Sequence, residues 1–190
     1  MLNKSEFEKI RQELAKTEER RESVIQLSRE IIHLSKRIIY ALHRDDVKDA
    51  SSLIKGIESK KSSLLKNNVK LDINIDQVAL QEYVEALCYF HFIKNKTIPA
   101  KAALKVDSEI YLLGLCDLSG ELVRKAVNEV VKNNFNIAFE IKDIVEEIYD
   151  EFLKFNLRNN ELRKKSDQIK YNLIKLQDVI YELKMKGKLK

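Results

Sequence analysis

The sequence predicts an all-α protein, an elongated bundle of about six helices. Three observations carry this. One proline and four glycines in 190 residues leave few places where a helix must break. Leucine, isoleucine, lysine and glutamate, all common helix residues, dominate the composition. Apolar residues recur at helical spacing through long segments. The length suits one domain, 1–190, with a sizeable core.

Residues 5–44 contain no proline or glycine and read as one long helix, which at ~1.5 Å per residue spans roughly 60 Å. Its second half has an apolar face of Val24, Leu27, Ile31, Leu34, Ile38 and Leu42, widened by Ile25, Ile32 and Ile39. Arg29, His33, Lys36, Arg37, Tyr40 and Arg44 follow helical spacing on the other side. A helix this long exceeds what one small domain needs and suits packing between subunits. Asp45 or Asp46 caps a second helix running to about Lys66, with Asn67 and Asn68 at its end and 69–75 as a connector. Asp76 caps a third, to about Lys94. Residues 96–106, with the sole proline, Pro99, form a short loop. Asp107 or Ser108 caps a fourth helix, which ends near Asn133 and Asn134. A fifth covers about 137–155, and a sixth about 160–185, stopped at Gly187. On the sixth, Ile169, Leu173, Leu176, Ile180 and Leu183 are spaced 4, 3, 4, 3, a coiled-coil seam that serves either an oligomer interface or the chain's own bundle.

The net charge of +5 and an isoelectric point of about 9.0 suit an anionic partner only weakly, because 30 acids offset 35 bases. Cys88 and Cys116 lie in apolar helical runs and read as buried thiols in a reducing compartment. No uncharged span reaches membrane length and no signal peptide precedes the first helix, so the expected protein is soluble and cytoplasmic, without a membrane partner.

The chemistry-bearing feature is acidic. Glu82 and Glu85 are the only formal charges between Gln77 and Ile93; Asp117 and Glu121 are the only ones between Ile110 and Val123. Three and four residues apart, each pair shares a helix face. Carboxylates on helices this apolar must be neutralised, ion-paired or bound to metal. Gly114 and Gly120 thin the fourth helix on either side of Asp117, which suits close approach of the third helix, or plain small-residue packing. Convergent carboxylates form a hard oxygen site for Mg²⁺ or Mn²⁺, the setting for phosphodiester hydrolysis, with the basic face of the first helix holding the backbone. The alternatives are a solvated Glu-x-x-Glu face, or ion pairs with Arg124, Arg29 or Arg37. There is no Glu-x-x-His, phosphate-binding glycine loop, zinc-ligand cluster or Ser-His-Asp arrangement. The histidines His33, His43 and His91 are scattered.

In collinear order along nearly the whole chain, the sequence resembles the translin family, in particular its translin-associated factor X branch. The resemblance rests on Leu27-Ser28-Arg29-Glu30-Ile31 and Leu42-His43-Arg44, on Leu80-Gln81-Glu82-Tyr83-Val84-Glu85-Ala86, and on Tyr111-Leu112-Leu113-Gly114 with Asp117-Leu118 and Gly120-Glu121-Leu122. It extends to Leu162-Arg163-Lys164-Lys165 and Tyr181-Glu182-Leu183. It implies a hollow, barrel-like oligomer, an octamer, and a metal-dependent endoribonuclease acting on single-stranded RNA. The family's catalytic acids match Glu82, Glu85 and Asp117; Glu121 matches a further acid, either supporting them or serving as a further metal ligand. The residues expected to grip RNA are Arg29, Lys36, Arg37 and Arg44. Eukaryotic relatives of this branch carry a long insertion between the third and fourth helices and a basic N-terminal extension, neither of which is present here. That pattern suggests a minimal single-gene form working as a homo-oligomer, with a translin-type partner chain as the other arrangement. The rival functions are a non-catalytic binder of single-stranded RNA or DNA and a helical scaffold whose acids only form salt bridges.

Overall fold

The computed structural model describes residues 2–67, 74–158 and 160–187. Among them it has seven helices and no strand: α1 (Lys4–His43), α2 (Val47–Lys66), α3 (Ile75–Asn95), α4 (Lys101–Leu104), α5 (Ser108–Val131), α6 (Phe135–Leu153) and α7 (Glu161–Met185). The all-α expectation holds. The extra element is α4, a single turn inside what reads as the Pro99 loop. The expected connector at 69–75 and the Asn68 stop lie largely outside the described residues.

The chain falls into two compact units, residues 1–83 and 84–190, with the division inside α3. In the first, α1 and α2 form an antiparallel-type hairpin through a three-residue turn in which Asp46 accepts a hydrogen bond from the Asp49 amide at 2.9 Å, capping α2 as its sequence predicts. Ile31, Ile38 and Leu42 of α1 and Ile57 of α2 are fully buried. The first part of α1, residues 4–20, is exposed throughout, including Phe7, Ile10 and Leu14. In the second unit, α5, α6 and α7 pack on one another. The whole 4-3-4-3 seam of α7 is buried there, so it serves the chain's own bundle. Its other side exposes Tyr171, Ile174, Tyr181 and Met185.

Helix ends use an uncommon device. With glycine scarce, the left-handed positions after α1, α3, α4 and α5 are filled by Asp45 (φ 62°), Lys96 (φ 58°), Lys105 (φ 51°) and Asn133 (φ 63°), while Gly187 (φ 64°) takes that position after α7. A non-glycine residue there costs roughly 1 kcal/mol, and the turns after α1 and α5 are closed by backbone hydrogen bonds from Asp46 to Ala41 and from Asn134 to Glu129, each 2.9 Å. Asp76 is not a cap: α3 already begins at Ile75, and Asp76 lies in its first turn, where a negative charge favours the helix dipole.

Candidate functional site

The first acidic pair sits on a buried helix, as its apolar surroundings dictate. On α3, Glu82 is half-buried and Glu85 is 8% exposed. Between them Tyr83 is fully buried and tied to α2. Its hydroxyl donates to the Glu58 carboxylate and accepts from Lys61 Nζ at 3.2 Å. Lys61, itself 3% exposed, pairs with Glu58 at 3.2 Å, and its ammonium lies 4.7 Å from the Tyr83 ring centroid. Helical residues are fixed at about 100° per position. Anchoring Tyr83 therefore sets the rotation of α3 about its axis, and with it the directions of Glu82 and Glu85.

The second pair is held from α7. Lys165 Nζ donates to both oxygens of Asp117, at 2.9 and 2.8 Å, with the two side chains 30% and 28% exposed. Two turns further along α7, Asn172 Nδ2 donates to Ser119 Oγ at 2.8 Å, and Ser119 in turn donates to the Cys116 carbonyl at 2.6 Å. Glu121 lies 3.6 Å from Arg124, one of the arginines expected to pair with the acids. A β-carbon added at Gly120 would meet Asn172 at 3.9 Å, an ordinary contact. At Gly120 the neighbouring side chain thus comes from α7. Lys165 escaped the sequence reading because it stands 48 residues from Asp117. The available signal was the basic run Arg163-Lys164-Lys165 at the start of an otherwise amphipathic helix.

Beside Asp117, burial and then the carboxylate's own charge push the Cys116 thiol up to about 12; burial alone pushes Cys88 to about 12. Both cysteines are free and buried. So shifted, neither thiol presents a thiolate nucleophile at neutral pH.

The predicted RNA-gripping residues are all exposed, Arg29, Lys36 and Arg37 on α1 beside exposed His33 and Tyr40, and Arg44 at its C-cap. Arg44 Nη2 reaches to 3.8 Å from Asp49. The face therefore presents cationic side chains to an anionic ligand.

Carboxylate oxygens are the right donors for a hard divalent cation. Glu85, Glu82, Asp117 and Glu121 supply such donors, and the burial of Glu85 raises the cost of leaving its charge uncompensated. Their chemistry fits Mg²⁺ or Mn²⁺. As the side chains stand, Asp117 is engaged by an ammonium, and among the described residues no three of His, Cys, Asp or Glu are grouped to hold a metal ion. Among the same residues, no helix is long and apolar enough to cross a membrane.

A family model described as Translin family matches residues 19–187. Translin-associated protein X of Mus musculus is 29% identical over 226 aligned residues, covering 95% of this chain and 78% of that protein. The Pongo abelii protein of the same name is 30% identical with the same coverage. The 226 aligned positions exceed the 190 residues of this chain, so these relatives carry residues within the matched stretch that this chain lacks. Translin of Gallus gallus is 37% identical over 82 residues, covering 43% of this chain and 36% of that one. Among solved structures, apo-NeC3PO superposes with a TM-score of 0.89 at 31% identity, covering 95% of this chain and 97% of that one. AfC3PO in complex with duplex RNA shares the fold at a TM-score of 0.84 and 22% identity, covering 95% and 97%.

Proposed function

The chain belongs to the Translin family, and from that premise we propose that it is a metal-dependent endoribonuclease cleaving single-stranded RNA within a homo-oligomer. The observation that carries the proposal is the presence of Glu82, Glu85, Asp117 and Glu121 as the only formal charges in the runs 77–93 and 110–123, with Glu85 buried and Asp117 seated by a lysine from another helix. Burying carboxylates is expensive, and a pure binder of nucleic acid gains nothing from it. Glu82, Glu85 and Asp117, with Glu121 in support, would hold Mg²⁺ or Mn²⁺. Such a cation, when bound, supplies an activated water and charge neutralisation at a phosphoryl oxygen.

The remaining work falls to the chain's own side chains. Glu58 and Lys61 hold Tyr83 and so orient the first acid pair; Asn172 and Ser119 register α7 against α5 beside the second. Arg29, Lys36, Arg37 and Arg44 contact phosphates without reading sequence, which suits a nuclease that accepts varied RNA. Assembly into a barrel-like octamer, alone or with a translin-type chain, belongs to the same proposal and is read by light scattering.

The experiment is cleavage of an end-labelled single-stranded RNA in Mg²⁺, Mn²⁺ or excess EDTA, beside Asp117→Asn checked for folding and oligomer size. Metal-dependent cutting that the variant loses is the expected result. Cutting that persists unchanged in EDTA, or in the variant, refutes the acid site. The ion pairs of Asp117 with Lys165 and of Glu121 with Arg124 also favour a second reading, a non-catalytic binder whose acids are structural. That reading predicts salt-sensitive binding of intact RNA.

A further inference from the structure

We propose that Lys165 is the built-in counter-cation of Asp117, competing with a divalent metal for that carboxylate and thereby setting the metal affinity of the acid site. The inference rests on the metal-site reading of the acids and goes beyond it, by assigning a role to a residue outside the acid set. Its ground is geometric. The Lys165 ammonium engages both Asp117 oxygens, at 2.9 and 2.8 Å, so a cation that takes Asp117 must displace the ammonium or share the carboxylate with it. Sharing places a second positive charge beside the metal, and at 28–30% exposure water screens that repulsion only in part. Competition and repulsion act in the same direction, and both weaken metal binding.

The approach of α7 to α5 does not depend on this pair. Leu162 and Ile169 are buried on either side of Lys165, and Asn172 independently holds Ser119 at 2.8 Å. Lys165 and Asn172, seven residues apart on α7, face Asp117 and Ser119, two residues apart on α5. Removing the Lys165 charge therefore leaves the two helices registered by the second contact. Lys165 is a positioning residue: it acts through Asp117 and sets the state of that carboxylate before metal arrives.

The test is Mn²⁺ binding by the full chain, read from the loss of the free-ion EPR signal, in wild type, Lys165→Met, Lys165→Arg and Asp117→Asn. Lys165→Met should bind Mn²⁺ about tenfold more tightly, close to 1.4 kcal/mol. Lys165→Arg, which keeps the charge and a fork suited to a carboxylate, should stay near wild type or weaker. Asp117→Asn should lose the site. Equal or weaker Mn²⁺ binding by Lys165→Met, with binding still dependent on Asp117, overturns the role of Lys165 and leaves the metal site standing. Mn²⁺ binding that ignores Asp117, or is absent from every variant, overturns the metal-site reading and this inference with it. A measurement on the wild type alone guards against a variant that fails to fold. Lys165 acetylation by an N-hydroxysuccinimide ester, followed by peptide mass spectrometry, should rise on adding Mn²⁺ as the ammonium leaves Asp117. Unchanged labelling at saturating Mn²⁺ overturns the displacement.

Discussion

Glu129→Gln probes a deeply buried ion pair of the second unit. Lys125 and Glu129, one turn apart on α5, are 3.0 Å apart with side chains only 3% and 5% exposed. Lys132 at 3.1 Å and Asn134 Nδ2 at 2.9 Å complete the coordination of the Glu129 carboxylate. Burial works to raise the Glu129 pKa, but the hydrogen bonds from Lys125, Lys132 and Asn134 outweigh it and hold the carboxyl below its ordinary value. Replacing Glu129 with glutamine removes the carboxylate's charge from beside the buried Lys125 ammonium. Breaking a buried pair costs about 3–5 kcal/mol. The amide oxygen still accepts one hydrogen bond, so the low end, about 3 kcal/mol, applies. Lys132, 49% exposed, adds little. For a chain of this size each kcal/mol moves the melting temperature by ~2–4 °C, so the variant should melt about 6–12 °C lower at pH 7. The sign of the pH effect follows from the lowered pKa. A carboxyl depressed on folding contributes stability that is complete above its unfolded pKa, about 4.3, and is lost as pH falls through the folded value. The gap between wild type and variant, followed by circular dichroism melts from pH 7 to pH 3, should therefore close on the acid side. A gap under about 2 °C at pH 7, or one unchanged at pH 3, refutes the argument.

Tyr83→Phe removes the hydroxyl that joins Lys61 and Glu58 to α3. Urea unfolding should show a loss of about 1–3 kcal/mol, with a larger fractional loss of RNA cleavage than of RNA binding; equal losses would show that Tyr83 does not orient the acids. Cys88 and Cys116, both buried and with thiols pushed up to about 12, should be silent to an aromatic disulfide reagent in the native protein at pH 8 and both react in denaturant; fast native reaction of either contradicts its burial. Arg37→Glu, on the exposed basic face of α1, should weaken RNA binding and flatten the dependence of log affinity on log salt by about one to two counterions; an unchanged slope removes Arg37 from the RNA face.

The helices were legible because their signals are local. The apolar face at Ile31, Ile38 and Leu42 follows from spacing within one helix, and the structure buries all three. The seam of α7 shows the limit of such a signal. A 4-3-4-3 repeat says that a face is covered, but not by what, and α5 and α6 of the same chain turn out to cover it. Helix ends at Lys96 and Lys105 were illegible for a different reason. Lysine carries no stop signal, and nothing in its side chain favours the left-handed backbone it adopts at both positions. Asp76 failed as a cap because an acid in the first turn and an acid at the cap look alike without the backbone.

The acids themselves stood out because charge is rare in their runs, but their partners did not. Lys165 meets Asp117 from 48 residues away, and Glu58 and Lys61 meet Tyr83 from 25 and 22. Pairings at that separation are products of the fold. In each case the sequence marks the residue whose chemistry is unusual for its surroundings, while the structure supplies the residue that makes the surroundings tolerable. Lys61 and Lys165 differ in what they do there. Lys61 is locked behind Tyr83, 3% exposed, where exchange for a solvated cation would leave a buried hydroxyl and Glu58 to be satisfied again. Lys165, 30% exposed and held by one carboxylate at 2.8–2.9 Å, can swing into water, giving up only its pair with Asp117. The first ammonium is suited to a permanent structural role and the second to one that yields to a competing cation.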